Sequence, residues 1–145
     1  MKLRIGSLFA EPGYSFNASF RIRKLIEKLL NQSIMNNIVL GDSKTFLSFH
    51  ITTGKNITNA EAKGPDINKK INCITWALWL PHNKIVNADD YELAYCHYFF
   101  EAAMQVFDFY NIENADREIQ KIIKEVKQEI ISDPLYRIRD EETEV

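Results

Sequence analysis

The 145-residue chain contains only two cysteines, five glycines and four prolines. Two cysteines exclude a disulfide framework and a four-cysteine zinc site. So little glycine and proline excludes collagen-like and low-complexity chains. No run approaches the ~20 apolar residues that cross a bilayer. The apolar start, Leu3 to Ala10, is broken by Arg4 and followed by Glu11, so it does not make a signal-peptide core. A cytoplasmic location is therefore expected, with Cys73 and Cys96 reduced and buried in their apolar segments. Sequence motifs of catalysis are missing too. There is no Gly-x-Gly-x-x-Gly, His-Glu-x-x-His, Gly-x-Ser-x-Gly or calcium-loop spacing. A phosphate loop fails twice, because Gly54-Lys55 is followed by Asn56 and Phe49 stands where its first glycine belongs. His50, His82 and His97 sit in unrelated segments, and the neighbours Cys96 and His97 splay about 100° apart on a helix. The expectation is a chain that is not an enzyme and that uses no metal or cofactor.

What is present suits a globular fold: 46% hydrophobic, 12% aromatic and 26% charged residues. A chain of this size fits one domain and hides about two-thirds of its unfolded surface. Leu3 to Ala10 reads as a strand ended by Glu11-Pro12-Gly13. Phe16 to about Asn31 has helical spacing, with Ser15 or Asn17 as cap and Arg21, Lys24 and Lys28 along one side. Ile34 to Leu40 reads as a strand, and Lys44 to Thr53 alternates apolar Leu47, Phe49 and Ile51 with polar Ser48, His50 and Thr52. A polar strand is expected around Ile57 to Lys63, followed by a Gly64-Pro65-Asp66 turn. Asn68 to Leu80 then reads as a central strand covered on both sides. Asp89, with Glu92 completing a capping box, opens a helix to about Tyr110, and a second helix runs from after Asn114 to Ser132. This order predicts an α+β fold: an antiparallel sheet of about five strands with one N-terminal helix and two C-terminal helices packed on it. Residues 1–132 form the single domain, and 133–145 form a charged tail expected to be flexible.

The helix from Tyr91 to Tyr110 is apolar almost all round. Its polar residues, Asp90, His97, Glu101, Gln105 and Asp108, recur at spacings that keep them on one face. A helix this apolar is mostly buried, so the strip is its window to solvent. The strip is either an ordinary solvated edge or a surface offered to a partner. His97 and Glu101 one turn apart do not make a metal site without further ligands, and no second such pair exists. Trp76 and Trp79, three apart in a strand, are expected on opposite faces.

The near-neutral total conceals a split. Residues 1–84 carry 12 lysines and arginines against five acids, a net +7; residues 85–145 carry six against 15, a net −9, giving −2 overall. An acidic surface of this kind steers basic partners and speeds their capture.

Three segments together resemble the small bacterial immunity proteins of contact-dependent growth inhibition and polymorphic toxin systems. They are the opening Leu3-Arg4-Ile5-Gly6-Ser7-Leu8-Phe9, the strand Ile74-Thr75-Trp76-Ala77-Leu78-Trp79-Leu80-Pro81, and the aromatic helix Tyr95-Cys96-His97-Tyr98-Phe99-Phe100-Glu101. The resemblance implies a cytoplasmic antidote that binds a cognate toxin C-terminal domain, typically a nuclease, and blocks its active site or substrate access. Asp90, His97, Glu101, Gln105 and Asp108 are the expected partner-binding residues, and no membrane partner is expected. A second reading is a small nucleic-acid-binding module using Arg21, Lys24, Lys28, Lys69 and Lys70.

Overall fold

The computed structural model describes residues 1–10 and 17–132. In chain order these form β1 (Leu3–Ala10), α1 (Asn17–Gln32), a 3-10 turn (Ile34–Asn37), β2 (Phe46–Gly54), β3 (Glu61–Asn68) and β4 (Cys73–Pro81). Three helices follow: α2 (His82–Val86), α3 (Tyr91–Phe109) and α4 (Ala115–Ser132). The fold is α+β, with a sheet of four strands in the order β1-β2-β4-β3. The sheet is mixed: β1, β2 and β4 are parallel and only β3 runs against them.

The mixed sheet corrects the expected antiparallel, five-stranded one, and the cause is burial. The chain crosses from β1 to β2 through α1, which leaves those two strands parallel. Then β4, the most apolar strand, inserts between β2 and β3, while β3, exposed along nearly its whole length, goes to the edge. The expected strand at Ile34–Leu40 is instead the 3-10 turn. Ile34, Met35 and Ile38 plug the end of the core, and the Met1 ammonium group donates to the carbonyls of Met35 (3.0 Å) and Ile38 (3.2 Å). Gly64-Pro65, expected to be a turn, lies inside β3, where a residue without an N–H is tolerated because the strand is an edge. The turn comes later, at residues 69–72, with Asn72 at φ 51°. α2 was not expected. The expected charged tail and the Ser15 cap lie outside the described residues.

One face of the sheet carries the core. Leu3 and Ile5, Leu47, Phe49 and Ile51, and Ile74, Trp76, Leu78 and Leu80 lie buried beneath the helices. α3 packs on β3 and β4 and α1 on β1, while α4 closes over α1 and α3. Phe49 meets Phe99 and Phe107 of α3, each with ring centroids 6.2 Å apart. The α3 cap is Asp90 rather than Asp89: its carboxylate accepts from the Leu93 N–H at 3.2 Å. The capping-box position then falls on Leu93, and Glu92 is buried instead. At the other end Asn111 takes φ 54° and Ile112 N donates back to Phe107 O at 3.1 Å, stopping the helix.

Each sheet edge is engaged at one end by side chains from the helices. On β1, Leu3 N donates to Asn31 Oδ1 (2.8 Å), Asn31 Nδ2 donates to Leu3 O (2.9 Å), and Ile5 N donates to Glu27 Oε2 (2.8 Å). Residues one helical turn apart on α1 thus match residues two apart on the strand. On β3, Ala62 N donates to Gln105 Oε1 (2.9 Å) and Gln105 Nε2 donates to Ala60 O (3.0 Å). A strand edge engaged in this way is a poor template for another chain.

Candidate partner-binding surfaces

α3 is held on three sides. Tyr95, Cys96, Phe99, Phe100, Ala102, Ala103, Val106 and Phe107 are all buried, so its exposed strip is carried by a rigid element. The five residues expected on that strip divide. His97 and Glu101 are exposed by 69% and 52% and sit 3.8 Å apart (Nε2 to Oε2), with the His97 ring edge-on to Tyr98 at 4.9 Å. Asp108 is exposed as well. The other two hold the fold together: Asp90 caps α3, and Gln105, though at the surface, clamps the edge of β3.

Among the described residues no lysine or arginine forms an ion pair with Glu101 or Asp108. The sequence explains why: between Lys84 and Arg117 there are seven acids and no base. α4 differs. Asp116 and Glu118 lie in its first turn, where they complement the helix dipole, and Lys121 reaches Glu118 at 3.6 Å.

The residues of the nucleic-acid reading do not converge. Lys24 and Lys28 lie exposed on α1, which covers β1, whereas Lys69 and Lys70 follow β3 at the opposite edge of the sheet. The side chain of Arg21 lies outside the described residues. A cleft of about 480 Å³ lies by this far turn, with Asp42, Thr45, Ile67 and Lys69 in its lining. Asp42 is already used there, accepting from Lys44 N (2.8 Å) and Thr45 Oγ1 (3.2 Å) in a local turn. Among the described residues, no three His, Cys, Asp or Glu side chains are grouped to hold a metal ion, and no helix is long and apolar enough to cross a membrane.

The chain matches no family model, no curated protein and no solved structure.

Two features escape a reading of the sequence. The first is a pair of buried polar residues beyond the carboxyl ends of β2 and β4. His82, which starts α2, is 6% exposed and Glu92, in the first turn of α3, is 1% exposed. Glu92 is flanked by Tyr91 and Leu93 in an apolar helix, a context that foretells burial once the cap is placed correctly.

The second is the sheet face turned away from the helices. Among the described residues no helix packs on it. Expecting Asn68–Leu80 to be covered on both sides hid this face. Instead Trp76 points into the core, against Phe109 (5.0 Å) and the Tyr110 hydroxyl (3.1 Å from Nε1), while Trp79 stands 39% exposed on the open side. The Arg4 guanidinium lies 4.7 Å from the Phe46 ring centroid at one end of this face. At the other, Lys63 Nζ lies 5.2 Å from the Trp79 ring and 2.8 Å from Glu61. Between them lie His50 and a floor of small residues: a Cβ built on Gly6 would meet no atom within 4 Å, and Ser48, Thr75 and Ala77 continue the floor across β2 and β4.

Proposed function

We propose that this protein is a binding protein that neutralises a basic partner by occlusion, as an immunity protein neutralises a nuclease toxin. The observation that carries this reading is the His97, Glu101 and Asp108 strip. It is an acidic surface without lysine or arginine partners among the described residues, fixed on a helix that is otherwise buried. Occlusion needs no catalytic group. It needs a scaffold that does not yield and charge that speeds encounter. A nuclease cleft built to hold phosphates presents lysine and arginine, and the two exposed carboxylates of Glu101 and Asp108 on a rigid helix are complementary to it. The nucleic-acid reading loses ground because its lysines lie at opposite edges of the sheet.

This reading requires a toxin module encoded immediately upstream, and the test is co-expression with it. A stable complex of equal stoichiometry is expected. The Glu101→Lys, Asp108→Lys double variant should associate about tenfold more slowly while melting at an unchanged temperature. Association indifferent to both changes would remove the strip from the interface.

A further inference from the structure

The open face of the sheet is a surface that the proposed function does not use, and its residues are arranged in a self-complementary pattern. Strand register sets them in rows. Arg4, Ser48, Thr75 and Asp66 form one row across β1, β2, β4 and β3; Gly6, His50, Ala77 and Lys63 form the next. Phe46 with Cys73, and Thr52 with Trp79, pair across the two central strands in the rows on either side.

We propose that this face is the interface of a homodimer, in which two copies stack sheet on sheet about a twofold axis along the mean strand direction. Such an axis keeps each row in place and reverses the strand order, laying β1 over the second copy's β3 and β2 over its β4. Four of the long side chains in these rows then meet short ones. Lys63 comes over Gly6, whose surroundings are open; His50 comes over Ala77; Phe46 comes over Cys73; Trp79 comes over Thr52. The row of unlike charges also closes on itself, since Arg4 at one edge comes over Asp66 at the other, twice by symmetry. Sheets packed at the usual aligned angle of about 30° keep these rows in register near the axis.

The alternative way for a sheet to recruit a second copy is edge to edge. That route is obstructed at one end of each edge, where Asn31, Glu27 and Gln105 already engage the backbones of Leu3, Ile5 and Ala62. Four strands about 4.8 Å apart and about 27 Å long give a footprint of roughly 500 Å² per copy. That is the low end of specific interfaces, so dimerisation is expected at micromolar concentration. The proposal does not rest on the function proposed above, because the α3 strip lies on the helical side of the molecule.

Sedimentation equilibrium of the full chain from about 1 to 300 μM tests it, a range that brackets a micromolar dissociation constant. The expected result is a reversible shift from 16.9 kDa to twice that mass. Ala77→Lys should abolish the dimer. Arg4→Asp and Asp66→Arg should each weaken it about tenfold, and the two together should restore it to within about threefold. Melting curves establish that each variant is folded, and Glu101→Lys should dimerise like the parent. A chain that stays monomeric at the highest concentration overturns the proposal. So does a dimer that tolerates Ala77→Lys, or a charge exchange that fails to recover association.

Discussion

Asn31 occupies both the donor and the acceptor of Leu3 from a neighbouring helix, which an adjoining strand would otherwise do. Replacing it with alanine deletes two hydrogen bonds at a partly buried edge, where water can enter in compensation. The expected loss is about 1–2 kcal/mol, read as a lower urea midpoint with an unchanged slope. An unchanged midpoint would mean that the clamp is idle. Tyr95 is the opposite case. Its hydroxyl is buried with no hydrogen-bond partner among the described residues, so removing it should cost nothing. Tyr95→Phe is expected to hold or raise the urea midpoint. Burial pushes the Tyr95 phenol far above its ordinary range, a rise that Arg23 opposes. Burial likewise pushes the Cys96 thiol from its usual 9.0 up to about 12, with Lys127 opposing. Both groups therefore hold their protons more tightly folded than unfolded. Their contribution to stability is complete below the unfolded values and is lost as pH climbs toward the folded ones. Stability should accordingly decline from about pH 9 to about pH 12, and the decline should be shallower in Tyr95→Phe. The Cys96 thiol should resist Ellman's reagent at pH 8 until urea is added.

At the scale of elements, α3 organises the core because the sheet, α1 and α4 all pack on it. Phe107→Ala removes a ring that is 1% exposed and in contact with Phe49, and about 3–5 kcal/mol of stability should go with it. A cost below about 1.5 kcal/mol, the range of a tolerated volume change, would mean that the site collapses around the gap. How legible these elements were depended on what fixes each one. The spacing of Ile119, Ile122, Val126 and Ile130 placed α4 because its buried face repeats with the period of a helix, and β1 showed as an apolar run ended by Glu11-Pro12-Gly13. Ile34 to Leu40 misled because a short apolar run reads alike as a strand or as a plug, and the burial of Ile34, Met35 and Ile38 in the assembled core decides between them. The direction of the strands was not written locally. Whether β4 pairs with its predecessor alone or slips between β3 and β2 depends on total burial, which is a property of the assembled sheet. The strip on α3 was legible as a face, but Gln105 looked like one more solvated residue until β3 was laid beside it.

For the molecule as a whole, what matters is which charges find partners inside it. The basic N-terminal part is dispersed: its lysines line α1 and the far turn, and Lys63 is paired with Glu61. The acids of α3 are not matched by bases within the same stretch of chain, so the negative field is concentrated along α3. Such a field acts at a distance and is screened by salt within about 10 Å at 0.1 M. Capture of a basic partner by the parent chain should therefore slow about tenfold between low and high salt, mostly through the association rate. The Glu101→Lys, Asp108→Lys variant should start slower and respond less to salt. The open sheet face lies on the other side of the molecule, so a second copy seated there leaves the strip free. Ala77→Lys, made monomeric, should then capture the partner at the parent's rate in one-to-one complexes, whereas the parent at high concentration should form assemblies of two and two by light scattering. A slower rate in Ala77→Lys would show that the two surfaces are one, and that the partner reaches the sheet as well as the helix.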